Sequence, residues 1–301
     1  MQTASIGCGA SGHERPGLCL RGTKAPRSAG GGGRQLRDHR CGWLCTRFGN
    51  PLGKQFVGLC GLPLVAWSLI AFDRAPSVAQ LVLVIEDGRE EEVRERVLSR
   101  VSLATPVVLA KAGETRQESV FSGLCAMDER LALVAVHDGA RPLIDVQTIE
   151  GCISCVRDDV SLAGAICALP SIDTLKIVED GVIRATPDRC SYWCAQTPQV
   201  FRTRQLVAAH RAAQLDAFGG TDDASLVERC NGRVACVPSP RANIKVTVPE
   251  DLLIVRALLE TRLMREGCGI DLLDDATGTT TAEDQGSLTE GGSNAAHRTR
   301  I

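Results

Sequence analysis

The sequence predicts an α/β fold: a mostly parallel sheet with helices on both faces and a projecting β-hairpin arm. Three observations predict it. Short aliphatic runs of strand length alternate with segments of helix spacing through the middle of the chain, which is the pattern of βαβ units. One Asp-Gly pair, Asp180-Gly181, stands between two β-rich runs and breaks that alternation. Apolar residues make up 44% of the 301 but aromatic residues only 3%, so the core has to be aliphatic.

The elements follow in order. Leu81 to Ile85 is a run of buried-strand type. Arg89 to Arg100 places Val93, Val97 and Leu98 on one side with charges elsewhere, so it reads as a helix. Pro106 to Leu109 is a second strand, Glu118 to Met127 a helix, Leu131 to Val136 a third strand, Val146 to Val156 a helix and Ala163 to Leu169 a fourth strand. Right-handed crossovers between such strands build a parallel sheet. Thr174 to Val178 and Val182 to Ala185 flank the Asp-Gly turn, so residues 172–188 form the arm. It pairs subunits, closes over a site, or is an ordinary surface hairpin. The last helix opens at Pro249, which lacks an N–H that the first turn would leave unpaired. Glu250 and Asp251 favour the positive end of the helix, and Leu252, Leu253, Val255, Leu258 and Leu259 supply its apolar surface.

Composition limits the alternatives. Lys plus Arg number 34 against 36 Asp plus Glu, and this balance gives no reason to expect a nucleic-acid binder. No apolar run reaches the roughly 18 residues of a membrane span. The longest apolar stretch, Leu62 to Phe72, is interrupted by Pro63 and Ser68. The N-terminus carries no apolar signal segment, so the 14 cysteines read as reduced thiols of an intracellular protein. Cys152-x-x-Cys155 and the Cys190/Cys194 pair have no second pair at zinc spacing and read as buried or incidental thiols. Three regions emerge: residues 1–45, Gly- and Arg-rich without strand or helix period, expected to be disordered or aberrant; a domain over 46–266; and a polar tail over 267–301, expected to be disordered.

Ligands of open parallel α/β sheets sit at the carboxyl ends of the strands, so the loops there carry the candidates. After the third strand comes His137-Asp138-Gly139-Ala140-Arg141-Pro142. Its carboxylate and arginine could serve a metal and an anion together, or form a structural ion pair. After the second strand, Ala112-Gly113-Glu114-Thr115-Arg116 runs into a helix and can offer backbone N–H groups and a hydroxyl to a ligand, or merely cap that helix. Lys245 follows Asn243-Ile244 in a strand-like segment, where it could reach phosphate or be a solvated lysine. Thr221-Asp222-Asp223 is a helix start that caps or contacts a ligand.

Several of these loops together resemble one family. Lys54-Gln55-Phe56, Arg116 to Val120, His137 to Pro142, Asp173 to Lys176, Asp188-Arg189, Gln196 to Gln199, Thr221 to Ser225 and Asn243 to Thr247 occur in the order found in 2-C-methyl-D-erythritol 4-phosphate cytidylyltransferases, over about residues 47–262. Ribitol-5-phosphate cytidylyltransferases share much of the set, and the Gly-Ala-Arg form of the Asp138 loop favours the methylerythritol enzymes. The resemblance implies a Rossmann-like nucleotidyltransferase domain and a homodimer joined through the arm. It implies transfer of CMP from CTP to a polyol phosphate, with Mg²⁺ and release of pyrophosphate. By family position, Arg47, Lys54 and Lys245 are the catalytic cations. Gly113, Glu114, Ser119 and Asp138 contact CTP, with Asp138 also at the metal. Arg141, Thr174, Arg189 and Thr221 contact the acceptor, Arg189 from the partner subunit. The enzyme is expected to be cytoplasmic, or in the plastid stroma if the source has plastids, and the charge balance and lack of a long apolar run predict no nucleic acid and no membrane among its partners.

The N-terminal part departs from the family, which opens with an apolar strand and a loop of the form Ala-Ala-Gly-x-Gly-x-Arg. No first strand is legible here. Ser28 to Arg34 has the loop's residue types, but Arg34 stands 20 residues before Lys54. Cys41 to Arg47 has the family's spacing, with Arg47 seven residues before Lys54, but puts Trp43 and Cys45 where glycines belong. The second register is preferred. One hypothesis is that residues up to about 45 are outside the native reading frame; its rivals are a real insertion, with Gly30 to Arg34 still serving as the loop, and an inactive nucleotide-binding homologue with a damaged glycine loop.

Overall fold

The computed structural model describes residues 41–46 and 56–266. The chain runs β1 (Cys41–Thr46), β2 (Gly58–Leu59), β3 (Leu62–Pro63), α1 (Leu64–Arg74), β4 (Val78–Ile85), α2 (Glu90–Arg96), β5 (Val107–Lys111), α3 (Arg116–Ala126), β6 (Leu133–Asp138), α4 (Val146–Asp158) and β7 (Gly164–Pro170). It continues through β8 (Ile177–Glu179), β9 (Val182–Ala185), β10 (Trp193–Arg202), α5 (Thr203–Leu215), α6 (Asp223–Arg229), β11 (Val234–Pro238) and α7 (Pro249–Arg265).

Seven strands form the main sheet in the order β11-β7-β10-β6-β1-β4-β5. All neighbours are parallel except β10, which runs antiparallel to both β6 and β7. Alternation along each strand feeds two apolar layers. Leu81, Leu83, Ile85, Leu133 and Ala135 face one layer with Val65, Leu69 and Phe72 of α1 and Ile149, Ile153 and Val156 of α4. Val82, Val84, Val134 and Val136 face the other with Val120 and Leu124 of α3, Leu206 of α5 and Leu226 of α6. Burial on both sides explains why β4 and β6 read as unbroken aliphatic runs. A third cluster joins Leu59, Leu64, Leu143 and Val246 to Val255 and Leu259 of α7, which fixes the segment bearing Lys245 against the domain.

The α/β class, the predominantly parallel sheet and the hairpin agree with the sequence reading. Its first strand does not. The segment preferred as the glycine loop is β1, an inner strand paired in parallel with β4 and β6. The reason is main-chain hydrogen bonding: without β1, the facing edges of two buried strands would lack partners. Cys41 is fully buried and its N–H donates to Ser77 O at 2.9 Å. Of the region up to residue 45 expected to be disordered or aberrant, Cys41 to Cys45 is strand. Gly30 to Arg34, Arg47 and Lys54 lie outside the described residues, as does the tail from 267.

β10 was also hidden. It carries Gln196, Thr197 and Pro198 in mid-strand, and its pairing with β7 slips between Ala195 and Gln199, where proline has no N–H to give. Among the described residues no helix is long and apolar enough to cross a membrane.

Candidate active site

The carboxyl end of β6 organises the site. Asp138 is its last residue and is buried. The turn after it closes through Arg141 N–H to Asp138 O at 3.0 Å. Val246 N–H donates to Ala140 O at 2.8 Å, which brings the Lys245 segment alongside. Arg141 Nη1 donates to Asn243 O at 2.7 Å, and Asn243 Nδ2 donates to Thr197 O at 2.9 Å. Three segments distant in sequence are thus tied at one strand end.

Three cations surround Asp138. Lys245 Nζ lies 2.9 Å from Oδ2, Arg141 Nε 3.8 Å from the same oxygen, and Arg116 Nε 3.9 Å from Oδ1. Burial pushes the Asp138 carboxyl up, but the charges of Lys245 and Arg116 outweigh it and hold the group below the usual carboxylate range. It is therefore ionised at neutral pH. Burial likewise lowers Arg141, and its buried Nε has no hydrogen-bond acceptor. Three cations converge on the single Asp138 carboxylate at a strand end, where their N–H groups can also meet an anion.

A layer beneath fixes the backbone of Asp138. Asp138 N–H donates to Thr197 Oγ1 at 3.0 Å, and Thr197 Oγ1 lies 3.1 Å from His137 Nδ1. His137 Nε2 is 3.3 Å from Arg141 O. A carbonyl only accepts, so Nε2 carries the proton and Nδ1 accepts from the threonine hydroxyl. Burial lowers His137 to about 3, which keeps it neutral.

The turn before α3 is a capping box. Thr115 Oγ1 accepts from Glu118 N–H, and the Glu118 carboxylate accepts from the N–H groups of Glu114 and Thr115. Ser119 Oγ accepts from Gly113 N–H at 3.1 Å and donates to Thr115 O at 2.8 Å. Gly113 is sterically required: a Cβ there would stand 2.3 Å from Glu118 Cβ. The structure shows the capping reading of this turn: the N–H groups of Gly113, Glu114 and Thr115 are taken by Ser119 Oγ and the Glu118 carboxylate.

Of the residues singled out in the sequence, Asp138, Arg141 and Lys245 come together, and Gly113, Glu114 and Ser119 share the α3 turn. Thr174 and Arg189 stand exposed at the base of the arm, where Arg189 Nη1 donates to Ile172 O at 2.7 Å. Thr221 is exposed beside Asp222, which caps α6 by accepting from Ser225 N–H. Sequence reasoning assigned no role to Arg116, although it opens α3 one residue after the capping threonine. It joins Asp138 to Asp223 through an Nη2–Oδ2 contact of 2.8 Å. The burial of Asp223 and its histidine partner had no signal in the chain's pattern, because helix spacing does not report which polar residue faces inward.

Asp138 offers the oxygen donor that Mg²⁺ takes. Among the described residues no three His, Cys, Asp or Glu side chains cluster to cage a metal. That donor set fits an ion held by one carboxylate and by the phosphates of a substrate.

The profile of the 2-C-methyl-D-erythritol 4-phosphate cytidylyltransferase family, IspD, matches residues 43–261. A protein of that name from Geobacter metallireducens is 37% identical over 220 residues, which covers 72% of this chain and 94% of the relative. Its namesake from Bacillus licheniformis is 39% identical over 213 residues, 71% of this chain and 90% of the relative. Among solved structures, 4-diphosphocytidyl-2C-methyl-D-erythritol synthase from Anaerococcus prevotii aligns with a TM-score of 0.66 at 26% identity, covering 74% of this chain and all of that one. The cytidylyltransferase from Thermus thermophilus aligns at 0.60 and 28% identity, covering 73% and 98%. With the matched profile spanning the whole sheet and both halves of the Asp138 site, the chain belongs to the 2-C-methyl-D-erythritol 4-phosphate cytidylyltransferase family.

Proposed function

We propose that this protein transfers CMP from CTP to the phosphate of 2-C-methyl-D-erythritol 4-phosphate and releases pyrophosphate, a step of isoprenoid biosynthesis. The single observation that carries the reading is Asp138 at the end of β6, ionised and ringed by Lys245, Arg141 and Arg116 in a chain of this family. The substrate phosphate attacks the α-phosphorus in line, a P–O bond forms, and the bond to pyrophosphate breaks. No covalent enzyme intermediate is needed. Two anions must meet, so the work of the protein is positioning and charge stabilisation.

Asp138 would hold Mg²⁺ together with the nucleotide phosphates, and the ion would neutralise charge on the leaving pyrophosphate. Lys245 pairs with the Asp138 carboxylate and, with nucleotide bound, would share its charge with the α-phosphoryl oxygens. Arg141 has a buried Nε without an acceptor, a donor that suits an incoming phosphate oxygen. Gly113, Glu114 and Ser119 form the polar mouth for the cytidine end. Thr174, Arg189 and Thr221 take the acceptor phosphate, Arg189 across a homodimer. The arm supports that assembly: every residue of β8 and β9 is exposed, and Ile177, Val178, Val182 and Ile183 are apolar. A two-stranded ribbon with such a surface is poorly stable alone. Arg47 and Lys54 complete the cation set.

A second reading, a nucleotide-binding homologue without turnover, has one observation behind it. Cys41–Thr46, the segment at the spacing of the glycine loop, is strand and not loop. One assay separates the readings. With CTP, Mg²⁺ and methylerythritol phosphate, the enzyme releases pyrophosphate stoichiometrically with the CDP-linked alcohol, and ribitol 5-phosphate in its place gives little. Binding of CTP without pyrophosphate release would establish the second reading; faster turnover with ribitol 5-phosphate would change the acceptor.

A further inference from the structure

The buried side of the site holds a carboxylate–imidazole pair that the proposed chemistry does not use. Asp223, the first residue of α6, is fully buried, and so is His210 of α5. His210 Nε2 lies 3.1 Å from Asp223 Oδ1, and Arg116 Nη2 lies 2.8 Å from Asp223 Oδ2. The carboxylate accepts from both, so its two oxygens are each committed. Phe121 of α3 stacks on the imidazole at 5.9 Å between centroids and 22° between planes. His210 Nδ1 is buried with no hydrogen-bond partner.

This arrangement is a poor way to stabilise a core. Burying a carboxylate is costly, and apolar replacement of a buried ion pair is often neutral or favourable. An imidazole nitrogen without a partner adds to the cost. What the arrangement gives is geometry. The backbone of Arg116 is fixed at the start of α3 by the capping box of Thr115 and Glu118, and its guanidinium is gripped at Nη2 by Asp223. That leaves Nε 3.9 Å from Asp138 Oδ1, on the carboxylate oxygen opposite the one taken by Lys245 and Arg141.

We propose that His210 and Asp223 are positioning residues, which hold Arg116 against Oδ1 of Asp138 and so fix the orientation of that carboxylate before nucleotide binds. The inference rests on the reading of Asp138 as the carboxylate that faces the nucleotide. His210 acts on Asp223, Asp223 on Arg116, and Arg116 on Asp138. Neither His210 nor Asp223 touches substrate.

The test uses the full chain with Asp223→Asn, His210→Phe, Arg116→Ala and the double variant Arg116→Ala/Asp223→Asn. His210→Phe keeps the stacking on Phe121 and decides the matter if Asp223→Asn does not fold. The first readout is the ¹⁵N–¹H signal of the Arg116 Nε–H, identified by its loss in Arg116→Ala. It is expected to broaden or vanish in Asp223→Asn and in His210→Phe. The second is steady-state turnover: kcat is expected to fall roughly 10- to 100-fold in each single variant, the scale of a misplaced reacting group. The double variant is expected to be no slower than Arg116→Ala alone, because Asp223 has nothing left to position. An Arg116 signal unchanged in Asp223→Asn and His210→Phe would overturn the proposal, and so would a double variant whose loss equals the product of the single losses. If the unsubstituted chain releases no pyrophosphate, the cytidylyl-transfer reading fails, and the Arg116 signal still decides whether the pair positions that side chain.

Discussion

Lys245 shows how a single residue can be chemically decisive and dispensable to the fold. Its side chain is 44% exposed, yet its ammonium lies 2.9 Å from a carboxylate that is only 12% exposed. Lys245→Ala is expected to keep the fold, with a lowered melting temperature because the buried Asp138 carboxylate loses its nearest cation, while pyrophosphate release drops by roughly 10²- to 10³-fold, the scale of losing one preorganised charge contact in a transition state. Unchanged turnover would remove Lys245 from the machinery. Gly113 is the opposite case. The Cβ of Gly113→Ala would meet Glu118 Cβ at 2.3 Å and Glu118 backbone carbon at 3.0 Å, and backbone cannot swing aside. We expect a loss of about 1–3 kcal/mol in urea unfolding and a raised KM for CTP. Asp138, Arg141 and the α3 turn were legible in the sequence because strand ends with polar loops are recognisable without coordinates, whereas Lys245 was singled out by the family resemblance and lies in a segment that reads as strand-like but is not a strand. The pairing of Arg116 with Asp223 was not, since the two lie 107 residues apart.

At the scale of elements, what the chain announced was periodicity and what it concealed was pairing. The aliphatic runs of β4, β5, β6 and β7 and the Asp-Gly turn stood out, as did α3, α4 and α7. Helix α2 is shorter than its charge pattern promised: it ends at Arg96 and gives way to a single 3₁₀ turn over Leu98–Arg100. β1 and β10 are strands by context. One fills the gap between two parallel edges, and the other tolerates a proline where its ladder slips. The arm is legible as a hairpin, and the structure adds that Val178 and Ile183 are cross-strand partners and both exposed. If that ribbon joins two copies, Ile183→Glu is expected to shift sedimentation from dimer to monomer and to lower turnover, because Arg189 would lose its partner's site. A chain that sediments as a monomer without the substitution would defeat the arm-mediated dimer.

For the whole molecule, one buried histidine couples the site to acid stability. His137 sits fully buried against Phe72 of α1 beside the Asp138 loop, with Nδ1 accepting from Thr197 and Nε2–H donating toward Arg141 O. Protonation would add a donor at Nδ1 where the threonine hydroxyl already points, and would place a charge in the core. The folded protein holds His137 at about 3, whereas an exposed histidine titrates near 6.5. Between those values the unfolded chain binds a proton that the folded chain does not. Stability is then fully present above about pH 6.5 and falls as the pH drops toward 3, at up to about 1.4 kcal/mol per pH unit from this group. Asp138 and Asp223, both held below the usual carboxylate range, act in the same direction but only below about pH 4, where an unfolded carboxylate takes up its proton. The two windows are separable. Urea midpoints measured from pH 7.5 down to pH 4.5 are expected to decline in the unsubstituted chain and to decline less steeply in His137→Gln, whose amide can still donate and accept but takes no proton. Parallel slopes for the two proteins would show that His137 is not the group that titrates in this window.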